Sequence, residues 1–148
     1  MKKAVFLLPV FFAIAAPTFA ALGAAEESVG ADEQKFLPTQ TTMSERGAYR
    51  LHEMTRGDGS VVREYVNGQG KVFGVSWKGP VLPDLSQLLG AHFAAFRDNA
   101  HQKAGRRRMA IVHSGDLVVE SAGHPRAFFG RAYLNSMLPA GVTQETVQ

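Results

Sequence analysis

Three textures follow one another along this chain. Ala4 to Ala16 is apolar apart from Pro9, residues 21–46 are small, polar and mildly acidic, and from Tyr49 apolar positions recur with the periods of strands and of a helix. Tyr49-Arg50-Leu51-His52-Glu53-Met54 alternates in part, as a half-buried strand does. Arg56-Gly57-Asp58-Gly59 is a turn, and Ser60 to Val66 is a second strand rich in β-branched and aromatic residues. Asn67-Gly68-Gln69-Gly70 is a second turn, and Lys71 to Trp77 a third strand with Val75 and Trp77 on one face. The pattern predicts a three-strand meander.

Lys78-Gly79-Pro80 ends that meander. Pro83 stands at a first helical position, with Asp84 just inside the positive end of the helix. Leu85, Leu88, Leu89, His92, Phe93 and Phe96 then fall on one helical face, predicting a helix to about Asn99 or His101. Gly90 lies inside it at a cost of about 1 kcal/mol relative to Ala, which close packing on a sheet would explain. Met109 to His113, Leu117 to Ser121 and Arg126 to Leu134 read as three further strands, with breaks at Ser114-Gly115-Asp116 and Gly123-His124-Pro125. The expected fold class is α+β: a mostly antiparallel sheet of about six strands, three before and three after one amphipathic helix packed on one face. A small closed barrel plugged by the helix competes with it.

The beginning of the chain reads as an export signal. Lys2 and Lys3 precede the apolar run, and Pro17-Thr18-Phe19-Ala20 places small residues around a cut after Ala20. The run is shorter than the roughly 20 residues of a membrane span. The expected organisation is a signal peptide over 1–20, a flexible leader over 21–46, one domain over 47–138 and a frayed polar tail over 139–148. Of the 148 residues none is cysteine, so packing alone holds the fold, and thiol catalysis, cysteine metal sites and a lipid-modified cysteine are excluded. The whole chain carries a formal charge of +3, and loss of Lys2 and Lys3 leaves it near neutral, against a general nucleic-acid binder. No later segment is apolar enough to span a membrane.

Two stretches carry a resemblance. One runs from Val62-Arg63-Glu64-Tyr65-Val66 through Val72 to Pro80, then Pro83-Asp84-Leu85 and Leu88-Leu89-Gly90; the other runs from Asp116 to Ser121, then Gly123-His124, Arg126-Ala127-Phe128 and Gly130 to Leu134. They resemble an uncharacterised family of exported proteobacterial proteins, the domain-of-unknown-function family numbered 2844, over roughly residues 21–142. Pro125 and Asn135 depart from the Met and Pro of that pattern. The resemblance implies export from a Gram-negative cell and implies no activity.

Candidate chemistry is sparse. His52, His92, His101, His113 and His124 include no pair with the i, i+4 spacing of a zinc-binding helix; His113 and His124, with Glu120, are the set that neighbouring strands could bring together. Ser76, Ser114 and Ser121 lie in no nucleophile elbow. Glu64 and Glu120 are the acids on strands and read as solvent-facing partners of Arg63 and Arg126. Trp77, the sole tryptophan, reads first as a core plug beneath the helix. Its alternative is a pocket mouth shared with Lys78, Tyr65, His124 and Arg126, suited to a peptide, a sugar or an anionic group. Lys103, Arg106, Arg107 and Arg108 form a basic run, read first as a solvated loop at the negative helix end and second as a patch for an anionic envelope component.

These features point to an exported, periplasmic or secreted, non-catalytic binding or interaction module. No catalytic residue, metal or cofactor is assigned, and its partner would be an envelope protein or an anionic envelope component. The competing expectation is a periplasmic hydrolase or metal-dependent enzyme using His113, Glu120 and His124.

Overall fold

The computed structural model describes residues 22–102 and 109–148. Residues 1–20, read as a signal peptide, and the basic run at Lys103 and Arg106 to Arg108 lie outside them. The fold is α+β. Its strands are β1 (Gln40–Glu45), β2 (Tyr49–Thr55), β3 (Val61–Asn67), β4 (Val72–Gly79), β5 (Met109–Ser114), β6 (Leu117–His124) and β7 (Ala127–Leu134). They form one sheet in the order β1-β2-β3-β4-β7-β6-β5, with every neighbouring pair antiparallel. The sheet is open, so the barrel alternative does not hold.

Two meanders meet at β4 and β7. A hairpin turn joins each pair within a meander, and the crossover between them carries two of the three helices, so the chain enters the second meander at the far edge and winds back to the centre. The first meander has one strand more than the sequence pattern predicts. That strand, β1, is Gln-Thr-Thr-Met-Ser-Glu and almost wholly exposed, so no apolar alternation marks it.

Residues 22–46 are not a loose leader. A 3-10 turn (Glu26–Ser28) runs into helix α1 (Val29–Phe36), and Leu22 and Val29 are buried in the main core. Glu26 receives hydrogen bonds from Arg50 and lies 2.8 Å from His52 Nε2, pinning the turn to β2. The chain also adds an isolated antiparallel bridge between Ala25 and Lys71.

The expected single helix is two. Asp84 caps helix α2 (Leu85–Leu89), accepting from the backbone N–H groups of Ser86 and Gln87 at 2.9 and 3.3 Å. Gly90 then takes φ +50, and a 3-10 turn (Gly90–His92) leads into helix α3 (Phe93–Gln102). Gly90 therefore breaks the helix by visiting a backbone region that other residues avoid, rather than packing closely inside it. Leu85, Leu88, Leu89 and Phe96 all reach the core, so the apolar face survives the break.

All three helices cover the same face of the sheet. Met54, Val62, Val66, Val75, Trp77, Ala132, Leu134, Val119 and Val112 point toward them. The opposite face holds a second, smaller cluster of Tyr65, Phe73, Val118, Tyr133 and Val147. Val147 belongs to the tail, which is therefore docked and not frayed. Among the described residues no helix is long and apolar enough to cross a membrane.

Candidate functional site: the strapped open face of the sheet

The helix-free face is built from residues at alternate positions, and strand register sorts them into rows. The first row is Leu51, Tyr65, Gly74, Tyr133, Val118 and His113. The second is Glu53, Arg63, Ser76, Arg131, Glu120 and Ile111. The third is Thr55, Val61, Lys78, Phe129, Ala122 and Met109. An aromatic row, a charged row and an apolar row with one lysine thus lie side by side.

The tail straps the first two. Val147 is fully buried over Gly74, where the missing side chain makes its slot. Tyr65 Oη donates to the carbonyl of Gln148 at 2.7 Å and accepts from its N–H at 3.1 Å. Arg63 donates to that carbonyl at 2.9 Å, and Arg131 to the carbonyls of Gln144 and Val147 at 3.1 and 3.4 Å. Tyr133 Oη donates to Gln144 Oε1 at 3.0 Å.

Each arginine also holds a carboxylate across the sheet. Arg63 pairs with Glu53 at 2.6 Å, and Arg131 makes a two-pronged contact to Glu120 at 2.9 and 3.1 Å. Arg131 is held even more firmly protonated by Glu120 beside it. The expected partners were Arg63 for Glu64 and Arg126 for Glu120. Neither pair forms, because residues adjacent along one strand point to opposite faces, and Arg126 lies in the β6–β7 turn with φ +74.

The third row stays open. Between it and the tail lies a cleft of about 280 Å³ whose walls include Val61, Lys78, Met109, Ala122 and Phe129, with Arg63, Arg131 and Gln148 on the tail side. Phe129 is 54% and Met109 45% exposed, both large for apolar side chains. Lys78 is exposed and has no ion pair among the described residues.

The sequence-predicted set is only partly gathered here. Lys78 is on the cleft. Trp77 contributes to its lining, yet its side chain is 3% exposed within the main core. Its ring crosses Gly130, where an added Cβ would lie 2.3 Å from Cζ2. Tyr65 is buried and committed to the tail. His124 and Arg126 are exposed at the hairpin tip and do not line the cleft. The proposed hydrolase or metal set does not converge. His113 stands opposite Val118 and His124 opposite Ala127, which separates them by six residues along β6, about 20 Å at 3.3 Å per residue. Glu120, between them, is held by Arg131. Among the described residues no group of three or more His, Cys, Asp or Glu is placed to hold a metal ion.

A feature that the sequence reading missed lies on the other face. Glu64 is 1% exposed and Asp32, from α1, 3%. Gln87 of α2 donates to Asp32 Oδ1, while Asp32 Oδ2, both oxygens of Glu64 and Gln87 Oε1 have no donor among the described residues. Burial pushes the Asp32 carboxyl up to about 6, and burial together with the nearby Asp32 charge pushes Glu64 well above the usual carboxylate range. A proton held on either carboxyl would supply the missing donor. Glu64 follows Arg63 and precedes Tyr65 in a strand of alternating faces; the apolar Val62 and Val66 two positions either side were the available sign that it points inward.

The family of this fold is decided by its residues. The family model described as "Protein of unknown function (DUF2844)" matches residues 18–147. The chain belongs to the DUF2844 family. The match takes in both meanders, the helices and the tail as far as Val147 of this DUF2844 protein. No curated protein and no solved structure matches it.

Proposed function

We propose that this DUF2844 protein is an exported, non-catalytic binding module of the bacterial envelope, and that it binds through the open third row of its sheet. The observation that carries the reading is the cleft beside the tail: an apolar wall with one lysine that has no ion pair among the described residues, next to arginines that are already committed. Binding sites are mostly apolar concavities with few placed polar groups, and this one has that make-up at a volume just below the usual range. Export is supported by the charged, apolar and small-residue succession over residues 1–20.

Backbone amide shift mapping against the lipid and small-molecule fractions of an envelope extract tests the binding reading. Shifts confined to β4, β5, β6 and β7 positions of the open face are expected. Shifts on the helix-covered side alone, or none with any fraction, would count against it. Osmotic-shock fractionation with N-terminal sequencing tests export, with a mature chain beginning at Ala21 as the expected result.

A further inference from the structure

The third row asks for a ligand of particular chemistry. Val61, Phe129 and Ala122 offer only carbon and Met109 adds only a weakly polar thioether; the first three lie in strands paired on both sides, whose backbone groups are taken up by the ladder, while β5 with Met109 is the sheet edge. A peptide laid across them would leave its own N–H groups unpartnered, at a cost of one desolvated group each. A hydrocarbon has no such groups. Arg63 and Arg131 each already have a carboxylate and tail carbonyls, so Lys78 is the uncompensated charge on the cleft among the described residues. One cation beside an apolar trough complements one anionic group on an apolar body.

Size narrows this further. At about 280 Å³ the cleft suits a short or medium chain rather than a long one.

We infer that the cleft binds a free medium-chain acyl carboxylate, its chain lying over Phe129, Ala122 and Met109 and its carboxylate at Lys78. This rests on the open-face reading of the preceding section and names the ligand class for it. Closing an apolar chain against this row would also cover the side chains that the fold leaves exposed there.

The probe is decanoate below its micelle concentration, titrated into the full mature chain by calorimetry and followed by amide shifts. Decyltrimethylammonium supplies the same tail with the opposite charge. Saturable decanoate binding that maps to the third row is expected, at least tenfold tighter than the cation. Lys78→Glu should weaken decanoate at least tenfold, and Lys78→Arg should restore it. Phe129→Ser should weaken both ligands; Lys78 and Phe129 are exposed, so these variants are expected to fold. Equal affinity for the two head groups, or indifference to Lys78→Glu, would overturn the inference while leaving the open-face reading standing. Shifts away from the face would overturn both. Binding to intact anionic vesicles but not to monomeric decanoate, or tighter binding of an apolar octapeptide, would also overturn it.

Discussion

Val147 occupies the space that a side chain at position 74 would need: a Cβ on Gly74 would lie 2.8 Å from its Cγ2 and 3.2 Å from its Cγ1. The glycine thus makes the slot that fastens the tail strap across the aromatic row. A β-branched side chain has little rotameric freedom with which to yield. Gly74→Ala should therefore destabilise the fold by about 1–3 kcal/mol, as overpacking of a filled site does. It should also free the last residues, read as faster carboxypeptidase trimming. Gly68→Ala, where nothing lies within 4 Å, is the control and should leave trimming unchanged.

Gly130 and Trp77 make a tighter version of the same arrangement on the helix-covered face. There an added Cβ would meet Trp77 Cζ2 at 2.3 Å and the Glu120 carbonyl at 2.5 Å, and the backbone cannot swing aside. Denaturant unfolding of Gly130→Ala should show a larger loss than Gly74→Ala, upward of about 3 kcal/mol. Trp77→Ala should cost about 3–5 kcal/mol through the cavity it leaves. Trp77→Phe should cost less, because the indole N–H that it removes is buried without a partner.

The acid pair gives stability a distinctive pH dependence. Asp32 and Glu64 hold protons more tightly folded than unfolded, so their contribution is fully present below the ordinary carboxylate range near pH 4. It is lost as pH rises through about 6 for Asp32 and further for Glu64. Glu26, Asp58 and Asp84 are lowered, by Arg50, by the Ser60 N–H and by Ser86 respectively, and act in the opposite direction, in acid below about pH 4. Thermal unfolding should therefore show a melting temperature several degrees higher at pH 5 than at pH 8. Glu64→Gln should flatten that slope and raise the melting temperature at pH 8. A slope unchanged in the variant would mean that the pair does not share a proton.

Elements with strong periodicity were legible. Tyr49 to Trp77 forms strands joined at the turns that Gly59 and Gly70 punctuate, and Val75 with Trp77 faces the core as alternation predicts. The capping Asp84 and the apolar stripe from Leu85 to Phe96 placed the helical crossover. What was missed has one physical cause: burial set by tertiary partners and not by local pattern. β1 is an exposed edge whose only reason to be a strand is the ladder offered by β2. Leu22, Val29 and Val147 are single large apolar residues among small or polar neighbours, each buried by tertiary contacts. Glu64 is a charged-type residue at a core position, which pattern reading assigns to solvent by default. For the candidate site, Lys78 was legible as a strand-end cation, whereas Phe129, Ala122 and Met109 join it only through the β4–β7–β6–β5 order.

The most direct test of the open-face account is site-specific photocrosslinking in growing cells, read by mass spectrometry of the purified chain. A photoreactive residue at Phe129 lies on the third row, and one at Leu37, 74% exposed beyond the end of α1, serves as the control. The account expects a discrete adduct at position 129 that is absent at 37 and lost in Lys78→Glu. No adduct at 129, or the same adducts at both positions, would contradict it.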